Sequence, residues 1–193
     1  MISVTPRSEA DATTDRILDA AYEELLHFGV KGVSVEDIAK RVGVARITIY
    51  RRFKNKDELL AAVAIREGQR LFDQIDAAVL EHDILGEQLV EGFAVALHAI
   101  RTHPIVRRTL ESEPDLVTAF ITAQAPVMIG FAREYVAARI AAHRVKVDAL
   151  AVAELMVRVG ATFVLLPESV IKLKTPADAR AFARTYLVPM VTR

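Results

Sequence analysis

Residues 34–53 read SVEDIAKRVGVARITIYRRF, and the reading of this stretch decides the architecture. Val35, Ile38, Ala39 and Val42 recur at helical spacing. Ser34 stands three residues before Asp37 as an approximate capping box, and Gly43 closes the segment, so a helix of about two turns is predicted. After the turn Val42-Gly43-Val44, a third short helix follows in which Ile49 and Phe53, four apart, face inward. Arg46, Ile47, Tyr50 and Arg51 then lie on the opposite side. Two short helices joined by a glycine-containing turn, the second one basic, form the helix-turn-helix that sets a recognition helix in the DNA major groove. Arginine can fork onto guanine, isoleucine can touch a thymine methyl, and a tyrosine hydroxyl can donate to phosphate.

Upstream, Ile17, Leu18, Ala21, Tyr22, Leu25 and Phe28 follow a helical period from about Thr14 to Gly29, with Tyr22 and Phe28 expected in the core. Residues 1–12 are small and polar without periodicity and are expected to form a disordered arm. Downstream, Asn55 with Glu58 caps a fourth helix carrying Leu59, Leu60, Val63, Leu71, Phe72 and Ile75. Further helices are predicted from Ile84 to about Thr102, from Pro104, and from Pro114 to about His143 with a kink or split at Pro126. Asp148 caps a helix to Leu166, and Thr175-Pro176-Ala177-Asp178 caps the last one. The composition agrees with an all-α fold of about nine or ten helices. Among 193 residues, 52% hydrophobic, there are 30 alanines but only eight glycines and seven prolines.

Net charge is zero, yet residues 31–56 hold eight basic side chains (Lys31, Lys40, Arg41, Arg46, Arg51, Arg52, Lys54 and Lys56) against Glu36 and Asp37. The absence of cysteine removes disulfides, thiolate metal sites and thiol nucleophiles, and fits a cytoplasmic location. The N-terminus lacks the pattern of a secretory signal, and the longest apolar run, Val159 to Leu166, is too short to span a bilayer. No G-x-G pair and no H-E-x-x-H occurs, and His27, His82, His98, His103 and His143 form no i, i+4 pair. Glu111, Glu113 and Asp115 around Pro114 read as a solvated helix start. The expectation is a protein without catalytic residues, metal or cofactor.

The stretch TDRILDAAYEELLHFGVKGVSVEDIAKRVGVARITIYRRFKNKDELLAA, Thr14 to Ala62, resembles the N-terminal domain of the TetR family of bacterial one-component transcriptional repressors. The resemblance implies a three-helix DNA-binding domain, followed by a helical domain that binds a small effector and pairs two subunits. It implies that Ser34 caps the second helix and touches phosphate, that Arg46, Ile47, Thr48 and Arg51 face bases, and that Tyr50, Arg52 and Lys56 hold the DNA backbone. The family usually has a small residue where Ile47 stands and often a serine at Ala45. The organisation expected is an arm over 1–12, the DNA-binding domain over 13–58 and the effector and dimerisation domain over 59–193. Lys56 at a helix N-terminus opposes the macrodipole, a conflict that a bound phosphate would relieve.

Beyond residue 62 the resemblance is architectural. The segment 149–166, ALAVAELMVRVGATFVLL, is apolar nearly all round, with Ala149, Ala153, Gly160 and Ala161 allowing close approach. With segment 176–187 it would build the homodimer's four-helix bundle, Glu154 and Arg158 pairing on the polar edge. Phe93, Leu97, Phe120, Met128, Phe131, Tyr135, Met156 and Phe163 could wall an effector pocket, with His98, Thr122, Gln124 and Thr162 as polar groups among them. The partners implied are palindromic operator DNA, a second subunit and a small apolar or amphipathic effector, with no membrane. Two alternatives remain open at this point: a helical carrier or enzyme for a hydrophobic molecule, and an architectural DNA-binding protein without effector.

Overall fold

The computed structural model describes residues 9–112, 115 and 125–192. Among these residues the fold is all-helical, with nine α-helices: α1 (Glu9–Gly32), α2 (Val35–Val42), α3 (Arg46–Tyr50), α4 (Lys56–Val79), α5 (Leu85–Thr102), α6 (Pro104–Ser112), α7 (Ala125–Ala142), α8 (Ala149–Leu165) and α9 (Pro176–Phe182). The chain divides into two compact units, 1–69 and 70–193. The boundary thus falls inside α4 and not at 58/59, and the buried Leu59 and Val63 belong to the first unit. Residues 9–12, expected in the irregular arm, are the first turn of α1. Asp11 there complements the positive end of the helix dipole.

In the first unit α1 packs on α2, and α2 on α3. The interior is filled by Ile17, Leu18, Ala21, Leu25, Ile38, Val42, Ile49 and Phe53, the positions selected by helical spacing. Gly29 breaks α1 with φ 69° and ψ 177°, and Gly43 ends α2 with φ 76°, a conformation glycine adopts without strain. Its N–H bonds the carbonyls of Ala39 and Lys40, closing the turn into α3. The break at Gly29 also corrects one expectation. Phe28 is 54% exposed, because the helical turn that would have carried it inward stops one residue later, and Tyr22 is only half-buried. Two ties lock α1 to α2: Arg16 donates to the Val42 carbonyl, and the buried Glu24 receives Arg41 at 2.9 Å.

In the second unit α5 lies against α9 and α8, and α7 against α8. Leu89, Val90, Ala94, Leu97, Ile140, Ala153, Met156, Phe182 and Leu187 form the core. Phe182 is its aromatic centre, stacked on Phe93 at 5.5 Å and edge-on to Phe163 at 5.3 Å. The helix caps read from sequence are present. Asp148 accepts from Ala151 N–H at 3.1 Å, and Thr175 and Asp178 form a reciprocal capping box. The last helix departs from regularity: α9 widens into a π-helical turn at Ala183–Leu187 and ends in a 3₁₀ turn at Val188–Met190. Pro126 falls in the first described turn of α7, and the kink or split expected at it turns on residues before Ala125, outside the described residues. The part of the expected 114–143 helix before Ala125 lies, Asp115 apart, outside the described residues.

Glu91 receives Arg180 at 2.8 and 2.9 Å, and Glu87 receives Arg184 at 2.7 Å, tying α5 to α9 and its continuation. The hydrogen bonds from Arg180 and Arg184 hold both carboxylates below their usual range. Such groups contribute stability above the unfolded carboxylate pKa of about 4.3 and lose it as pH falls through the lower folded value. In urea titrations followed by circular dichroism, the midpoint should stay level from about pH 7 to 5 and fall below about pH 4.5. Glu91→Gln should lower the neutral-pH midpoint and flatten that fall.

Candidate nucleic-acid interface

The recognition helix α3 is one turn and a half, and its two faces are sorted by burial. Ile49 and Phe53 are in the core, while Arg46 and Arg51 are exposed and Ile47 is 59% exposed. Arg46 Nη2 donates to the Tyr50 hydroxyl at 3.0 Å, and its guanidinium lies 5.2 Å from the Tyr50 ring centroid. This i, i+4 contact raises the arginine pKa further and holds the guanidinium over the half-buried Tyr50 ring. Thr48 is half-buried, and its N–H bonds Ala45 O at 2.8 Å at the start of the helix. Ser34 Oγ accepts from Asp37 N–H at 3.3 Å, so its hydroxyl caps α2 as expected.

Two residues expected on the DNA backbone point elsewhere in this structure. Arg52 donates through Nε to Thr14 Oγ1 at 3.1 Å and through Nη1 to Thr48 O at 3.1 Å, bridging α3 to α1. Lys56 Nζ donates to Val30 O at 3.2 Å and Val33 O at 3.3 Å, with Lys31 O at 3.5 Å. The last carbonyls of a helix lack intrahelical partners and carry the negative end of its dipole, so an ammonium is favoured there. That contact, rather than a phosphate, resolves the placement of a cation at the first position of α4. Asn55 caps α4 as expected, its Oδ1 accepting from Glu58 N–H at 2.8 Å.

The basic excess is correspondingly redistributed. Lys40 pairs with Glu36 at 3.1 Å and Asp37 at 3.4 Å, which raise its pKa, and Arg41 pairs with Glu24. Arg46, Arg51 and Lys54 remain as the exposed cations on and beside α3. An apolar Ile47 between two arginines on a solvated helix face is the chemistry of a base-reading surface.

Residues 17–63 match the family model described as "Bacterial regulatory proteins, tetR family". The chain is 29% identical over 118 residues to the HTH-type transcriptional regulator AlkX of Mycobacterium tuberculosis, covering 59% of this chain and 56% of that relative. With the uncharacterised HTH-type regulator Rv1255c of the same organism it is 28% identical over 182 residues, covering 94% and 87%. The crystal structure of the TetR-family repressor AlkX from a Dietzia strain superposes with a TM-score of 0.66 at 24% identity, covering 93% of this chain and 97% of that one. Over residues 17–63 this chain is similar to TetR-family transcriptional regulators, and its fold is shared with a solved member of that family. In such a regulator the helix-turn-helix is the DNA-binding element, and it is the stretch on which the sequence resemblance rested.

In the second unit, the residues expected to wall a pocket separate into groups. Leu97 and Met156 are buried, with Phe93 and Phe163 packed against the same core around Phe182. Tyr135 instead packs at a tilt against Phe72, ring centroids 5.1 Å apart, and donates to Asp76 Oδ1 at 2.6 Å, beside the Arg139–Asp76 ion pair. Burial and the Asp76 carboxylate push its phenol up to about 12. Met128 and Phe131 are 55% and 68% exposed, and Thr162, also exposed, spends its hydroxyl on Arg158 O at 2.9 Å. Phe120, Gln124 and Thr122 lie outside the described residues. Phe182, which joins Phe93 to Phe163, was not singled out in the sequence; a partner 89 positions from Phe93 has no local signature.

Two substitutions separate the roles. Lys56→Met should destabilise the protein by about 1–2 kcal/mol, because carbonyls of 30–33 lose a charged donor. Arg51→Ala should leave the melting temperature unchanged, since its side chain is exposed. Thermal melts followed by circular dichroism read both.

Proposed function

We propose that this regulator is a homodimeric repressor that holds a palindromic operator through Arg46, Ile47, Thr48 and Arg51, with Ser34 and Tyr50 on phosphates, and is released by a small apolar or amphipathic effector. The observation that carries the DNA reading is the sorting of α3: its inner side is pinned by Ile49 and Phe53, while Arg46, Ile47 and Arg51 stand in solvent. Arg52 and Lys56 support the interface from behind, through Thr14 and the carbonyls of 30–33. Replacing Arg46 or Arg51 by alanine should weaken operator binding roughly 5- to 150-fold and relax base preference. Mobility shifts against operator and scrambled duplex, at two salt concentrations, test this.

Pairing of subunits is supported by a stripe on α8, where Ala151, Leu155, Arg158 and Thr162 recur at i, i+4, i+7 and i+11, all exposed among the described residues. Gly160 faces the other side: a Cβ there would be in ordinary contact with Phe93 of the same chain, at 3.5 Å, and a longer side chain would press on that ring. A carboxylate at Gly160 would therefore perturb the chain's own core, and Leu155→Glu is the cleaner probe. Leu155→Glu should give a folded monomer in light scattering that no longer retains palindromic DNA.

The effector reading rests on the apolar side chains of α5, α7 and α8, and on AlkX, whose solved structure is of a repressor implicated in biodegradation of n-alkanes. A long apolar molecule laid on the exposed Met128 and Phe131 of α7, beside Tyr135, is the occupant proposed, while Phe93, Leu97, Met156 and Phe163 belong to the core around Phe182. Asp76 on α4 is held by Tyr135 and Arg139 of α7, so a ligand that displaces α7 side chains acts directly on α4. Couplings of about 1–3 kcal/mol are usual, and an inducer and the operator would each weaken the other's binding by the same factor, roughly 5–150-fold. Titration of a medium-chain alkane into the protein with and without operator should show this reciprocity; equal affinities would remove that alkane as inducer.

A further inference from the structure

Where α5 ends, α6 begins and the chain turns into α9, a cleft of about 240 Å³ opens in the second unit. Its floor is apolar and buried: Leu97, Leu173 and Ala179. Its rim carries Arg101, Arg107 and Lys174, and none of its lining residues is acidic. Each cation is positioned by the fold. Arg101, in the last turn of α5, uses one of its five N–H donors on Leu173 O at 2.5 Å, which fixes the guanidinium at the edge of the floor. Lys174 follows Leu173, and its backbone N–H is tied to Asp178 Oδ2 at 3.1 Å. Arg107 stands one turn into α6, opposite Glu111 at 3.7 Å, an exposed and solvent-screened pair of little strength.

The carboxylate of Asp178, four residues after Lys174, is engaged by backbone groups. Asp178 accepts from the backbone N–H groups of Lys174 and Thr175 in the α9 capping box. A second, more open cleft shares Thr102 and Arg107 and adds Arg108, with Glu111 as the single acidic residue among its lining. Like charges gathered over a low-dielectric floor repel one another and focus field on an anion, and an arginine fork fits a carboxylate or phosphate head. The volume admits about eight water-sized groups, enough for a head and a short chain.

We propose that this cleft binds a small amphipathic anion, a carboxylate or a phosphate monoester on a short alkyl body, with its head among Arg101, Arg107 and Lys174 and its body on Leu97, Leu173 and Ala179. The cleft shares no lining residue with the Met128, Phe131 and Tyr135 surface proposed for the effector, and its occupancy requires neither operator nor an apolar inducer.

The test is calorimetric titration of the full chain with octanoate, octyl phosphate, 1-octanol and inorganic phosphate. One equivalent of octanoate or octyl phosphate per chain should bind, about tenfold or more tightly than either octanol or phosphate alone. The tighter of the two amphiphiles identifies the head group. Arg107→Gln combined with Lys174→Gln changes two exposed side chains, so it should keep the melting temperature and lose about tenfold in affinity for the amphiphile. Binding of octanol equal to octanoate, unchanged affinity in the double variant, or no binding of either amphiphile at millimolar concentration would each overturn the proposal. Failure of an alkane to release operator bears on the effector reading and leaves this site untouched.

Discussion

A five-residue helix makes barely one hydrogen-bonded turn, and in water its nucleation is unfavourable. α3 therefore depends on the burial of Ile49 and Phe53, each side chain contributing about 1.5–3 kcal/mol on leaving water. That burial fixes the rotation of the helix about its axis, and helical geometry then leaves Arg46, Ile47 and Arg51 no place but the solvent side. Gly43 supplies the left-handed residue that brings α3 back onto α2. The face proposed to read DNA is in this sense a by-product of the core behind it.

The same unit shows why a count of basic residues exaggerates a phosphate-binding surface. Arg16 reaches the Val42 carbonyl, Lys56 the carbonyls of Val30 and Val33, and Arg52 the Thr48 carbonyl and Thr14. Long cationic side chains here cap helix ends and staple helices together, a use that needs their length as much as their charge. Counterion release follows the phosphates neutralised, so the relevant cations are the few that stay in solvent, not all eight in the segment.

In the second unit the division of labour runs through α5. One side carries Leu89, Val90 and Leu97 into the core, another carries Glu87 and Glu91 to Arg184 and Arg180, and its last turn places Arg101 beside the cationic cleft. The aromatic group around Phe182 makes α9 integral to the fold of a single chain, while the exposed stripe of α8 is left for another surface. The apolar composition of α8 is thus satisfied on two sides by different means.

What the sequence determined by itself is whatever depends on near neighbours. The caps at Ser34, Asn55, Asp148 and Thr175 each bond a residue three positions on, and the buried faces of α1 and α2 follow from the 3.6-residue period. The sorting of α3 into a buried and an exposed face was legible for the same reason. The tertiary structure alone decided the partners of Lys56 and Arg52, 26 and 38 positions away, and the Glu91–Arg180 clamp, 89 positions apart. It also decided that Phe28 lies outside, that Phe182 joins Phe93 to Phe163, and that the predicted pocket wall divides into core and surface. Periodicity marks which side of a helix is apolar, but whether that side meets a neighbouring helix, a ligand or a second subunit depends on contacts between residues far apart in the chain, which no local pattern encodes.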